Sequence, residues 1–586
     1  MFSKNEIANC SHLWVAILRV VAICCIVFAF SSNATAATYF LRADGKASNK
    51  SSAMGSCSDP TACMSPTVHN AQSFDAGDNI ILCDDGGEYS SPLILPSSGS
   101  SWELPITYRN ETNGKATLNG LSSITSWQNS GNGIYTRQGI EKAWMLLENG
   151  MLIRHASDTS LSDGYWYFDE PSSTLYYKPT QGVAEENNVS IVSNLNCINI
   201  NNKSFIVVDG LTFKYFYWAV HADNRQANSG TAGTRHGPRV LNCTAQFGRG
   251  LLSSIATAGY DVYDLSAVAN TVINCGQPLR AAPAAEGPMV HINLNFSKNS
   301  VIDTNRTGLD TEKWEDLWGA IDAEGIAFYN ANSALISENL LEGGCDNAGI
   351  VMFVGPGGSM RNNITTRNKL TNLVSQGISL AGDAPDEPNA SGNMISANVI
   401  ERVGTRDGID GAILVHRIDN ENNINYIFNN TIVECDVSFR IGTRGNRYIF
   451  KNNISVNPTL FHVCMGIPIA ENKFDHNLYY PDGNLFRTLE AGDIQFTQWQ
   501  GRISQDLQGS STNPNFASGY SLDADSPAID SGERLAVSET KGLAPGTYWP
   551  SAVATLDQGT QGLSWEIGAY VFPSSISPPN NLQIRQ

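Results

Sequence analysis

The stretch Leu335-Ile336-Ser337-Glu338-Asn339-Leu340-Leu341 decides the fold, because its phrase of apolar strand, asparagine and second apolar strand keeps returning. It comes back as Met360-Arg-Asn-Asn363-Ile-Thr, Met394-Ile-Ser-Ala-Asn398-Val-Ile, Tyr426-Ile-Phe-Asn-Asn430-Thr-Ile, Tyr448-Ile-Phe-Lys-Asn-Asn453-Ile-Ser and Asp475-His-Asn477-Leu-Tyr. Continued towards the N-terminus, the register meets Asp303, Asn274 and Asn242. From Asn242 onward the intervals are 32, 29, 36, 24, 35, 32, 23 and 24 residues. Strands at a wandering period of this size, with no amphipathic helix between them, predict an all-β chain: a parallel β-helix, a solenoid whose coils stack on one another. An asparagine at one point of each coil suits a turn, where it bonds to nearby backbone. With coils about 4.8 Å apart, successive side-chain amides can also bond along the axis as a ladder. The repeated asparagines are therefore expected to be structural and not catalytic.

A solenoid absorbs much of a 586-residue chain as one long unit. At the N-terminus, Lys4 and Arg19 precede the apolar run Val20 to Phe30, and Ala34-Thr35-Ala36 supplies small residues for cleavage. Residues 1–36 thus read as a signal peptide, and the product is expected to be secreted, periplasmic or at the cell surface. The apolar run is short for a bilayer span, so no membrane insertion of the mature chain is expected. Removing it takes away two basic residues and one acidic one, leaving 35 against 55 and a net charge of −20. That balance lacks the basic footprint of a nucleic-acid binder, so no nucleic-acid partner is expected. Nine cysteines remain; Cys57, Cys63 and Cys83 lie in a loop-rich region and are the disulfide candidates, while Cys243, Cys275, Cys435 and Cys464 lie in strand phrases as small core residues.

The two ends carry a family likeness. Ala37-Thr-Tyr-Phe-Leu-Arg-Ala-Asp-Gly45, Phe74-Asp-Ala-Gly-Asp78-Asn-Ile-Ile-Leu82, Pro105-Ile-Thr-Tyr-Arg109 and Ala116-Thr-Leu-Asn-Gly120 resemble the opening of secreted right-handed parallel β-helix proteins of the pectate-lyase-like superfamily. Tyr520-Ser-Leu-Asp-Ala-Asp-Ser-Pro-Ala-Ile-Asp-Ser-Gly532 and Glu566-Ile-Gly-Ala-Tyr570 resemble their closing segment. The resemblance implies the architecture; the activity stays open, since that superfamily hosts lyases, hydrolases, epimerases and adhesins. The expected organisation is a cap with the first coils over 37–123, an inserted module over 124–186, the β-helix over 187–480, further coils with a closing cap over 481–572, and a linker-like tail over 573–586. The module reads as antiparallel: Asn149-Gly150 separates two apolar runs, and Tyr165-Trp-Tyr-Phe168 faces Thr174-Leu-Tyr-Tyr177. Its aromatics can serve its own core or stack on sugars. The stretch Leu309 to Gly319, with Trp314 and Trp318, is either a lid or a simple cover for the sheet.

Aligning the strands that begin at Gly325, Gly349, Gly377 and Gly411, then at Asp436 and Leu460, predicts an outward row of Ala327, Tyr329, Val351, Phe353, Ser379, Ala381, Ile413, Val415, Ser438, Arg440, His462 and Cys464. So apolar a face predicts that a loop, the module or a ligand covers it. Asp322 and Asp346 occupy equivalent positions on neighbouring coils with Glu324 alongside, so these three are the candidate calcium ligands, with turn-capping as the other reading. Arg417, Arg440, Tyr329 and His462 are the candidate catalytic residues, with His416 close by. β-Elimination in a uronate polymer needs a carboxylate neutraliser, a base and a proton for the departing oxygen. The leading expectation is a lyase acting on an extracellular acidic polysaccharide as a monomer. A glycoside hydrolase using the same carboxylates with Asp383, Asp407 or Asp410 is the alternative, and a non-catalytic carbohydrate-binding or adhesion protein a third. His236 lies in a loop and fits any of the three.

Overall fold

The computed structural model describes residues 36–112, 116–193, 196–224, 235–256, 261–283, 290–306, 323–355, 357–382, 390–405, 410–416, 424–443, 445, 447–467 and 472–573. Each coil lays one strand into each of three long parallel sheets. Sheet 1 has thirteen strands, from Thr38–Leu41 to Lys473–Asp475. Sheet 2 includes Leu340–Gly344, Lys369–Thr371, Val399–Glu401, Thr431–Val433 and Ile454–Val456. Sheet 3 includes Leu279–Pro283, Glu324–Tyr329, Ala348–Val354, Gln376–Gly382, Ile413–His416, Val437–Ile441 and Phe461–Met465. Sheets 2 and 3 are continuous at the strands Thr212–Asn224 and Thr244–Ala256, which run through both. The chain is a right-handed parallel β-helix. Among the described residues no helix is long and apolar enough to cross a membrane.

Alternation fills the interior. Ile336, Ile395, Ile427 and Phe450 from sheet 1 meet Leu341, Leu370, Ile400 and Ile432 from sheet 2 and Ile326, Ile350, Ile378 and Ile413 from sheet 3 in one buried cluster. Between sheets 1 and 2 the chain turns sharply through a residue of left-handed backbone, as at Glu338, Arg367, Ala397, Asn429, Asn452 and His476. The next residue carries the ladder. It runs Asn270, Asn299, Asn339, Asn368, Asn398, Asn430, Asn453, Asn477, and each Nδ2 donates to the next residue's Oδ1 at 2.7–3.0 Å. Every backbone N–H of the row donates to that same Oδ1, and every Nδ2 also donates to a backbone carbonyl, for example Asn339 to Phe296 at 2.9 Å. A final asparagine would find no further acceptor; Asp506 supplies one, taking bonds from Asn477, Tyr479 and Trp499. Burial raises its pKa to about 6.

Four positions in the sequence alignment move. Asn363 belongs to a second ladder, Asn363, Asn393, Asn425, at the other end of the sheet 1 strands. Asn274 and Asp303 are left-handed residues next to the last place of the strands Thr271–Cys275 and Ser300–Thr304, and Asn242 stands one place before the ladder, which Cys243 occupies. Strand–Asn–strand is a phrase that either end of a short strand can generate, so spacing alone did not separate the two corners.

Helix Pro66–Asn70 and helix Phe496–Ile503 close the two ends of the interior, the latter with buried Trp499. The rest of the C-terminal region does not extend the stack. It returns along the outside of sheet 2, where it covers apolar outward side chains, mostly of the later coils: Val433, Ile454, Val456 and Leu478 are covered by Leu522, Ala528 and Ile567, and Val399 by Leu543, Trp549, Ala569 and Tyr570. The antiparallel module spans strands Leu121–Ile124 to Val189–Val192. Asn149 and Gly150 both have positive φ, 52° and 81°, as a two-residue hairpin turn between Met145–Glu148 and Met151–Leu152 requires. Cys57 and Cys83 form a disulfide, and Cys63 is a free buried thiol.

Candidate functional site

Sheet 3 turns one face to the core and the other outward, and the outward face holds a cavity of about 410 Å³. Its floor is Val351, Ser379 and Leu414, one outward position from each of three successive strands. Tyr329, Phe353, Ala381 and His416 form the next outward row, in register across four coils. Tyr329 and Phe353 pack with ring centroids 5.3 Å apart. On the opposite side, at the start of the strands, stand Glu324, Asn347 and Gln376.

Glu324 is the only carboxylate lining this cavity among the described residues. It is buried, and its oxygens accept from the Tyr329 hydroxyl at 3.1 Å and the Gln277 side-chain amide at 3.1 Å, with Asn347 Nδ2 at 3.5 Å. These three donors are all neutral side chains. Arg280, one coil before, lies in the same outward row as Ala327, with its guanidinium 5.8 Å from the centre of the Tyr329 ring. The carboxylate and the phenol therefore line the cavity together, with the guanidinium beside the phenol ring.

The other sequence-predicted residues scatter. Arg440 is outward in the row of Arg280, Ala327, Val351, Ser379 and Leu414, five coils from Arg280, or about 24 Å. Its Nη1 donates to the Cys464 carbonyl at 3.3 Å. His462 is not outward. It is fully buried between Tyr479 and Phe486, bonded to Ser455 at 2.6 Å and to the Pro481 carbonyl at 2.9 Å, and burial lowers its pKa to about 4. Ile413 and Val415 also point into the core, and Leu414 and His416 take their outward places. The alignment slipped there by one residue: Ile378 pairs with Ile413, which sets Gly377 opposite Ala412 and not Gly411. Ser438 is likewise buried, bonded to Ser455. Nor does the module cover this part of the face: it docks on earlier coils, with Met145 and Leu147 packed against Tyr215 and Phe247.

Arg417 and Asp322, with the stretch 309–319, Asp383 and Asp407, lie outside the described residues. Asp346 accepts from Asn305 at 3.0 Å and pairs with Arg306 at 3.8 Å. Glu324 and one oxygen of Asp346 thus accept from side-chain donors, while the third member of the expected cation set, Asp322, lies outside the described residues. Groups of three metal-ligating side chains that converge elsewhere among the described residues are Cys57, Cys83 and Glu111, where two are in the disulfide, and Asp475, His476 and Glu533, where Lys451 already bonds to Glu533. Asp410 accepts from Ser375 and Gln376. His236 pairs with Asp264 at 2.9 Å and stacks on Phe205, away from the cavity. Arg280 and Gln277 had been missed because the strand alignment began at Gly325. Carried back one coil, Leu279-Arg280-Ala281 falls opposite Ile326-Ala327-Phe328.

No family model and no curated protein matches this sequence. Among solved structures, the chain is similar to XylC in complex with xylose, at 13% identity over 82% of this chain and 87% of that one, with a TM-score of 0.47. It is also similar to a glycoside hydrolase, at 12% over 71% and 96% with a TM-score of 0.43, and to the pectate lyase Pel9A, at 14% over 92% and 97% with a TM-score of 0.35. The fold is a right-handed parallel β-helix. That statement rests on the strand register.

Proposed function

We propose that the protein acts on an extracellular polysaccharide in the sheet 3 cavity, and that it is a lyase for a uronate-containing chain. The observation that carries this reading is the Glu324–Tyr329 hydrogen bond at the cavity wall with Arg280 beside the phenol ring. Arg280 neutralises the uronate carboxylate, which makes the proton on the adjacent carbon more acidic. Glu324 takes that proton, and the electron pair forms the C4=C5 double bond as the C4–O bond breaks. Tyr329 gives its phenolic proton to the departing oxygen. The proton on Glu324 then returns to the phenolate along their hydrogen bond, so both groups are restored. Acid and base 3.1 Å apart suit an elimination in which proton and leaving group depart from the same face. No step is routed through calcium. The hydrolase reading has less support: among the described residues the cavity is lined by one carboxylate, and an inverting mechanism needs two at roughly 6.5–9.5 Å.

The test is to incubate the purified protein with polygalacturonate, alginate and a neutral xylan, following unsaturated products by ultraviolet absorbance and reducing ends separately. Unsaturated products from an acidic polymer, retained with chelator and lost in Glu324→Gln and Tyr329→Phe, are expected. Reducing ends without unsaturation would make it a hydrolase, and no turnover of any polymer would leave a binding protein.

A further inference from the structure

A second cleft, of about 300 Å³, lies on another face of the solenoid, between the outward face of sheet 2 and the C-terminal segment that returns over it. Its floor is polar and comes from successive coils: Glu342 on one, Lys369 and Thr371 on the next, Glu401 and Arg402 on the third. Its wall is aromatic, from Tyr548, Trp549 and Tyr570. We infer that this cleft is a non-catalytic binding site for a neutral glycan, separate from the sheet 3 cavity.

Much of what lines the cleft also fastens the C-terminal segment. Trp549 is buried and its indole N–H donates to the Arg367 carbonyl at 2.8 Å; Glu401 accepts from Thr371 and Arg402, both at 2.8 Å, and bonds to Tyr520. Fastening does not account for Tyr548. Its side chain is 69% exposed at the rim, yet its backbone is fixed by bonds in both directions with Ala552, and Thr547 beside it bonds to the Ala544 and Ala554 carbonyls. A large ring held in place at the mouth of a polar cleft, and not used for packing, is what stacking on a sugar ring requires. The floor indicates which sugar. Glu401 lies 2.8 Å from Arg402 and 3.6 Å from Lys369, so positive and negative groups alternate and neutralise one another. Such a floor offers donors and acceptors to vicinal hydroxyls without an uncompensated charge for a uronate, unlike the wall of Arg280. The volume is at the low end for small-molecule pockets, room for a short oligosaccharide segment.

The inference does not depend on cleavage in the sheet 3 cavity. Calorimetric titration of the purified protein with xylohexaose and cellohexaose, and with polygalacturonate as the acidic comparator, tests it. One of the neutral hexasaccharides is expected to bind, Tyr548→Ala to weaken it at least tenfold at unchanged melting temperature, Glu342→Gln to weaken it less, and Glu324→Gln to leave it as in the parent protein. The inference is overturned if neither hexasaccharide binds, or if Tyr548→Ala binds like the parent. It is also overturned if Glu324→Gln abolishes the binding, which would assign it to the other cavity, or if Tyr548→Ala weakens polygalacturonate and not the neutral sugars.

Discussion

The corner between sheets 1 and 2 and the outward face of sheet 3 are built from the same coils and use polar side chains in opposite ways. At the corner each coil from Asn270 to Asn477 spends one asparagine on the same three bonds, with no exposed surface at Asn339, Asn368, Asn398, Asn430, Asn453 or Asn477. On sheet 3 no polar residue repeats from coil to coil: the row through Glu324 continues as Ala348 and Gln376, and the row through Arg280 as Ala327, Val351 and Ser379. A polar group that recurs in every coil is doing what every coil needs. One that occurs once, buried against a cavity, is free for a task of its own.

The sharpest way to break that contrast is within the ladder. Asn398→Ala removes the acceptor of two bonds from Asn368 and the donor to the Thr365 carbonyl and to Asn430, leaving several buried groups unpaired. At 1–3 kcal/mol for each such group, a loss of about 3–5 kcal/mol is expected in chemical denaturation. Activity per folded molecule should stay within twofold of the parent. A destabilisation under about 1 kcal/mol would mean that the ladder is decorative.

His462 gives the next largest effect. Burial holds its folded pKa at about 4, below the ordinary 6.5, so the unfolded chain takes up the proton first as pH falls. Stability from this group is complete above pH 6.5 and is lost towards pH 4, by about 3 kcal/mol for a shift of this size. Denaturation curves at pH 7 and pH 4.5 should differ less in His462→Gln than in the parent. Asp506, raised to about 6, works in the opposite direction, so the comparison has to be made against the parent and not against zero slope. An equal pH dependence in both proteins would return His462 to the outward face that the sequence alignment expected.

On the sheet 3 side, Glu324→Gln keeps the shape and one acceptor oxygen while removing the base, so that either the Gln277 bond to Oε2 or the Tyr329 and Asn347 bonds to Oε1 survive, and a loss of at least about 100-fold in kcat is expected with the melting temperature lowered only slightly. If stability falls with activity, Glu324 belongs with the ladder residues as a structural group. Arg440→Ala is the mildest change. At the far end of the outward row it should raise KM about 3–10-fold for long acidic chains and leave short ones alone, as measured by initial rates on polymer against trisaccharide.

How much of this was legible in the sequence differs between the two regions for a physical reason. The strand–Asn–strand phrase announced stacked parallel coils because stacking makes the same demand of each coil, and repeated demands leave repeated letters. Even there the phrase mixed two ladders, since Asn363 and Asn368 close opposite ends of the same three-residue strand, Ile364–Thr366. On sheet 3, Tyr329 and Glu324 could be singled out by residue type. Arg280 could not, because 47 residues separate it from its register partner Ala327, against 24 from Ala327 to Val351, and spacing carries no register between coils of such unequal length. The slip at Gly411 had the same origin: between Gly382 and Asp410 the repeat lengthens, and one uncounted residue reverses inside and outside.

The sequence by itself thus determined the solenoid, the period-two alternation that fills its core, the Asn-Gly hairpin of the module and the structural character of the asparagines, all of them consequences of local pattern. Only the tertiary structure decided which face each late strand presents, that His462 is buried, that Arg280 stands beside Tyr329 and that the C-terminal segment returns to form a cleft with sheet 2. Those facts depend on register between coils and on packing between segments far apart in the chain, for which one-dimensional spacing holds no measure.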